Sequence, residues 1–415
     1  MKQSLWTRNF KLVFIGMIFS AAGGVGLSVA MSVIVFQETQ STSLTAVFTA
    51  FSMLPQFVLP LIMGPIIDRK NPLRVMIRNE GILAFIFFCM AGITWKYGFS
   101  YPLYMAFSVL INCFAVVSNL ASGSILPQVM RSENYVRGNA IVNVIFPLCS
   151  VMITPLAMVL FDRFGVSFIL CGYGVTTLID IALESRIDHR FEFIEAEKTS
   201  LKEYVSDLRD GIGYLRENIA VRSVFVLFVF VMFSDTSNNL IYPFFNQSAT
   251  LNNTYYATLS SIQSAGYMVG GFLHYFIKIP DSKRFRLAIF VYFLFCLLDG
   301  VFFFMPFWMM CASKFILGIA GMNSANIRVS AIQNRVPNQY RAKINALYTV
   351  LISAAIMLGG LVMGALGEML PYWLIQLGSN CIYFAAVLLF ALPRKNKVRE
   401  LYNYTTVSEA PEVSA

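Results

Sequence analysis

The chain has 415 residues, 57% hydrophobic and 13% charged, where a soluble domain carries about 25% charged residues. Uncharged runs at 12–37, 39–67, 97–130 and 344–367 each exceed the roughly 18–20 apolar residues that cross a bilayer core, which excludes a water-soluble globule. The net charge of +9 is read through its placement below, because a total alone does not distinguish an acidic partner from membrane topology.

Hydropathy and periodicity predict an all-α polytopic membrane protein. Its twelve helices lie at about 10–36, 43–66, 75–95, 100–124, 138–161, 165–183, 223–246, 254–277, 286–304, 307–329, 343–366 and 370–392. The spans divide six and six: an N-terminal half over 1–183, a charged linker over 184–222, a C-terminal half over 223–393 and a tail over 394–415. In the linker, Ser200-Leu201-Lys202-Glu203 reads as a capping box. Leu201, Tyr204, Val205, Leu208, Ile212 and Leu215 then recur on one helical face. This predicts an amphipathic helix along the membrane surface, serving as a tether or as a gate.

Of the 31 Lys and Arg residues, all but Lys96, Arg163 and Lys314 fall in segments that share one side of the membrane. That bias predicts an inner or plasma membrane protein with both termini cytoplasmic, and it accounts for the charge without nucleic acid. Trp6, Trp95, Trp308 and Trp373 fall at span ends, where indole rings prefer the headgroup layer. All seven cysteines lie inside spans and none forms a C-x-x-C pair, so they read as packing residues. His189 and His274 are the only histidines, no metal-ligand spacing occurs, and there is neither a G-x-S-x-G nor a Walker-type phosphate loop. A membrane enzyme or receptor-like scaffold is therefore a remote reading, and no cofactor or metal is expected. The expected partners are a small-molecule substrate, protons and the lipid bilayer, with a single chain as the functional unit.

A shift of 206 positions lays Arg137-Gly138-Asn139-Ala140-Ile141 on Lys343-Ile344-Asn345-Ala346-Leu347, and Gly64 on Gly270. Two six-helix bundles related by an axis along the membrane normal are a transporter pattern, with substrate held between them near the midplane.

Gly64-Pro65-Ile66-Ile67-Asp68-Arg69, followed by Arg74, resembles the G-x-x-x-D-R-x-x-R-[RK] loop of the major facilitator superfamily. Trp6-Thr7-Arg8-Asn9-Phe10-Lys11, and Leu126-Pro127-Gln128-Val129 ahead of Asn139-Ala140, are more particularly similar to its macrolide-efflux and enterobactin-exporter branch of drug:proton antiporters. The resemblance implies two pseudo-symmetric bundles, proton-driven efflux, and a conformational switch at Gly64, Asp68, Arg69 and Arg74 that does not touch substrate. Asn71, Pro72 and Leu73 stand where that loop has a Gly or acid and two bases, so its basic cluster is thinner. The glycine-rich stretch of span five is missing too: Thr154 precedes Pro155, and Gly359, Gly360, Gly364 and Gly367 crowd span eleven instead.

A polar stripe marks the face a span turns away from lipid. Spans one, four, seven and ten carry one each: Ser20, Gly23, Gly24 and Ser28; Ser108, Asn112, Asn119 and Ser122; Asp235, Asn238, Asn239 and Tyr242; Lys314, Gly318, Gly321 and Ala325. These four spans are also the ones the resemblance places around a central cavity, although helix–helix hydrogen bonding would leave the same stripes. Asp299 and Lys314 lie about equally far from the turn at Pro306 and are expected to pair. Asp235, about 13 residues into its span, is the expected proton-coupling acid. With 38 Phe, 19 Tyr and 20 Met, the lining suits amphipathic or lipophilic cargo such as a drug or macrolide, with a metabolite, lipid or siderophore as the alternative.

Overall fold

The computed structural model describes residues 5–68, 70–130, 135–188, 201–276 and 279–403, and among these every regular element is helical. α1 spans Arg8–Thr39, opened by the Thr7 hydroxyl accepting from the Phe10 amide at 3.2 Å and closed by Gln40 in the left-handed conformation. α2 (Thr42–Met53) starts at the Ser41 cap, and α3 (Pro55–Asp68) begins where Pro55 offers no amide to continue it. α4 (Pro72–Tyr97) combines an Asn71 cap with Pro at the first helical position, and α5 covers Tyr101–Val129.

α6 runs over Tyr135–Glu184 and changes direction at Gly165, whose φ of 75° a side chain would strain; predicted spans five and six are its two arms. α7 is Leu201–Glu217 and α8 is Ile219–Asp235. A 3-10 segment, Thr236–Leu240, leads into α9 (Ile241–Gln247), followed by α10 (Asn253–Phe276) and α11 (Asp281–Gly300). α12 (Phe307–Arg335), α13 (Asn338–Gly367), α14 (Tyr372–Ala386), a π-helical turn over Val387–Ala391 and α15 (Lys395–Asn403) complete the described chain.

Helix occupies all twelve predicted spans, yet eight helices, not twelve, are long and apolar enough to cross a membrane among the described residues. The difference has local causes. The second span is split at Pro55 into pieces of 12 and 14 residues, and the fifth and sixth are one kinked helix. α10 is diluted by Ser260, Ser261, Gln263 and Ser264, and α11 by Asp281, Lys283, Arg284, Arg286 and Asp299. The chain is a multi-pass membrane protein. Phe85, Phe146, Phe290, Leu297 and Leu389 lie exposed, an arrangement that lipid favours and water penalises. All four tryptophans are exposed as well, just before or near helix ends.

The chain forms two compact units. The first takes Met1–Tyr204, Asn238–Ala265 and Gly360–Tyr372, the second Val205–Ser237, Gly266–Gly359 and Trp373–Ala415. In the first, Val33, Phe36, Phe87, Tyr104 and Leu170 form a core that binds α1, α4, α5 and α6. Val13, Ile67, Met76, Ile125 and Ile187 form another core in the same unit. In the second unit, Val224, Phe228, Tyr292, Ile344, Val387 and Tyr402 are buried together. α15 contributes Val398, Leu401 and Tyr402 to that core, and the Tyr402 and Tyr292 hydroxyls hydrogen bond at 2.7 Å. Residues 404–415 of the predicted tail lie outside the described residues.

α7 is amphipathic, but its buried line differs from the predicted one. Leu215 and Gly211 are buried, Leu208 is partly buried and Ile212 is exposed. Gly211 sits against Leu347 and the Lys343 carbonyl, and Lys343 pairs with Asp210. A residue without a side chain, which an apolar pattern passes over, sets the contact line and rotates Ile212 outward. Nothing is described of the Leu201, Tyr204 and Val205 side chains.

Candidate functional site

The loop that carries the superfamily resemblance lies between α3 and α4. Arg69, and the side chains of Gly64 and Asp68, lie outside the described residues; Arg74 is exposed in the first turn of α4. Beside it opens a groove of about 720 Å³, edged by Lys70, Arg74 and Arg78 and floored by Leu59, Met63, Phe114 and Val117. Asn79 turns from α4 to α5, donating to the Phe114 carbonyl at 2.9 Å and the Ser118 hydroxyl at 2.8 Å.

Among the first unit's predicted cavity residues, Ser20 and Gly24 are half-buried on α1 and Asn119 is exposed on α5. Ser108 is buried, its hydroxyl 2.7 Å from that of Ser52, and Asn112 donates to the Ser108 carbonyl one turn back. Tyr242 is buried edge-on to Phe36 and Tyr256, and its hydroxyl donates to Asn253 at 3.3 Å. These polar groups satisfy one another or the helix backbone, which is how a membrane interior tolerates them. Glu368, just beyond α13, accepts from the Ser41 hydroxyl at 2.7 Å, the Ser43 amide at 2.9 Å and the Thr42 hydroxyl at 3.2 Å. The amide of Ser43, then the hydroxyl of Ser41, hold its carboxyl below the ordinary glutamate value of 4.5.

In the second unit Lys314 donates to Asp299 at 2.7 Å, with 1% and 6% of their side-chain surfaces exposed. The ammonium also lies 4.8 Å from the centre of the Phe302 ring. On α14, Ser379 donates to Ser237 and Asn380 to the Gln376 carbonyl, so buried polar groups recur in this unit. Asp235 is exposed at the last residue of α8, Asn238 is half-buried and Asn239 exposed. The 3-10 segment after Asp235 shortens the repeat to three residues per turn, so the predicted α-helical row from Asp235 to Asn238 and Asn239 does not continue. Gly266 of α10 lies against the Phe315 carbonyl and the Gly318 Cα of α12, leaving no room for a Cβ at Gly266. On α13, Gly359 packs against Phe233 and Gly364 and Gly367 against Thr42, whereas Gly360 has open space beside it.

Two groupings escaped the sequence reading. Arg328 of α12 lies with its guanidinium carbon 3.6 Å above the Phe228 ring. Glu80 of α4 meets Asp180 and Glu184 of α6, with carboxylate oxygens from all three within 4.8 Å of one another and all three residues buried. Metal-ligand spacing is legible within short stretches, whereas this set joins positions a hundred residues apart. The available signal is the i, i+4 acid pair Asp180 and Glu184 at the end of the sixth predicted span.

No curated protein matches the sequence. Among solved structures, the fold is similar to the nucleoside transporter NupG at TM-score 0.68 and 13% identity, covering 92% of this chain and all of that one. It is also similar to an inward-facing bacterial homologue of the iron transporter ferroportin (0.67; 14%; 97% and 100%). The peptide transporter POT in complex with alafosfalin matches at 0.71 and 10% identity, over 96% and 97% of the two chains. At these identities the likeness establishes the fold, that of the major facilitators. The sequence matches the family described as transmembrane secretion effector over residues 4–413, nearly its whole length. The chain belongs to the transmembrane secretion effector family of major facilitator transporters.

Proposed function

We propose that this transporter exports amphipathic or lipophilic small molecules by alternating access of two six-helix bundles, driven by proton entry. The family match over residues 4–413, to proteins described as secretion effectors, is the observation that carries the outward direction. The aromatic and methionine content favours a cargo bound by adaptable apolar contact. In this reading twelve spans cross the inner or plasma membrane with both termini cytoplasmic, and one chain suffices. Asp68, Arg69 and Arg74 set the balance between states, and Asp235, exposed at the point where α8 ends, takes up and releases the proton.

Polar cargo is the second reading. The similar folds are named for nucleoside, iron and peptide transporters, so the same architecture accommodates a metabolite or siderophore. Cells hypersensitive to toxic compounds distinguish the two when they express this chain. A lipophilic fluorescent dye should accumulate less, and collapse of the proton gradient should restore it; unchanged accumulation across a panel of such dyes overturns the first reading. Asp235→Asn should abolish uphill efflux and spare downhill exchange in vesicles. An unaltered pH dependence in that variant places coupling elsewhere.

A further inference from the structure

The acids of the first unit pose a problem that the transport reading does not use and the chain does not solve. Glu80, Asp180 and Glu184 are 6%, 3% and 2% exposed. Glu80 Oε2, Asp180 Oδ1 and Glu184 Oε2 are each buried with no hydrogen-bond partner, and none of the ion pairs among the described residues includes them. The side chain next to the cluster in sequence, Asn79, is committed to α5. Three like charges in a low-dielectric interior repel one another, and each also loses its hydration. Protons or a cation from the surroundings must compensate them.

The helices hold the three acids facing one another. Phe87, two turns beyond Glu80 on α4, packs on Tyr173, two turns before Asp180 on α6, with ring centres 4.4 Å apart. Asp180 and Glu184 are one helical turn apart and project from the same side. On α1, Gly16 stands directly against Asp180 Oδ1, where any Cβ would collide with the carboxylate. A residue with no side chain thus packs directly on the cluster, whose three candidate ligand atoms are all carboxylate oxygens.

We propose that Glu80, Asp180 and Glu184 form a binding site for a hard divalent cation, of the manganese and calcium class. Three carboxylates within 4.8 Å, without His or Cys, match the oxygen-only donor sets such ions prefer. A divalent ion neutralises two of the three charges, takes up the unpartnered oxygens and ties α4 to α6. The site shares no residue with the proposed proton-coupling acid Asp235, so its success or failure is read independently of the efflux assay above.

The test uses the full chain in nanodiscs, with Mn²⁺ as probe and electron paramagnetic resonance to count free metal. The expected result is one saturable site competed by Ca²⁺. Binding should weaken about tenfold or more in Glu80→Gln and in Glu184→Gln, each checked for folding by circular dichroism and gel filtration. Glu368→Gln should retain it, since that carboxylate already has three donors. Absence of saturable Mn²⁺ binding in the unsubstituted chain overturns the proposal even if a variant fails to fold. So does equal binding in folded Glu80→Gln and Glu184→Gln, or a loss in Glu368→Gln as large as theirs.

Discussion

The two units bury ionisable groups in opposite ways. In the second, Asp299 receives a lysine from the next helix at 2.7 Å, a charge balanced within the chain. In the first, Glu80, Asp180 and Glu184 are buried against one another, and none of the ion pairs among the described residues includes them. Burial alone does not distinguish a structural charge from a ligand-seeking one; the distinction lies in what the chain supplies to the remaining lone pairs. A closed pair is expected to be a fixture, and an open cluster to respond to what is dissolved around it.

Substitution tests this contrast through the sign of the effect. The largest should come from Lys314→Met, which leaves Asp299 buried and alone, at a cost of about 3–5 kcal/mol in thermal unfolding of the detergent-solubilised chain. Adding Asp299→Asn should recover most of that loss; a double variant as unstable as the single one breaks the comparison. Next, Glu80→Gln removes one of three mutually repelling charges. In chelator it should leave stability unchanged or raise it by about 1 kcal/mol, the opposite of Lys314→Met. A loss above about 2 kcal/mol in chelator would mean that Glu80 is paired within the chain after all.

The smallest effect belongs to Glu368, an exposed acid in the first unit that does have donors. Its carboxyl is held below the ordinary value of 4.5, so its contribution is fully present above that value and disappears as pH falls through its own, lower value. At neutral pH Glu368→Gln should cost no more than about 1 kcal/mol, and its melting point should converge on the unsubstituted chain's as the buffer is acidified below pH 4.5. A gap that persists unchanged in acid would show that the hydroxyl and amide contacts do not depend on charge.

Much of the architecture is legible from the residues because one requirement dominates it: backbone groups in lipid must pair within a helix, so long apolar runs translate directly into elements. Asp299 and Lys314 are legible as partners for the same reason, since equal distance from Pro306 fixes their depth. Interhelical matters are less legible. The face of α7 turns on Gly211, and hydropathy gives no weight to a missing side chain. The acid cluster depends on which pair of helices meets at what rotation, which a pattern within one helix cannot encode. The helix row expected from Asp235 ended because α8 gives way to a tighter 3-10 turn, a backbone change with no marker residue in Thr236–Leu240.

The last helix also constrains biogenesis. Val398, Leu401 and Tyr402 are interior residues of the second unit, and Asn403 accepts a hydrogen bond from the Phe285 amide at the start of α11. Residues through Asn403 must therefore leave the ribosome before that unit can close. Until then its cytoplasm-directed end, in the topology proposed above, holds an unfilled apolar slot that chaperones and membrane proteases can read. Nonsense or frameshift changes between residues 393 and 398 should be recognised as unfinished protein, even though the twelve proposed spans have already been made.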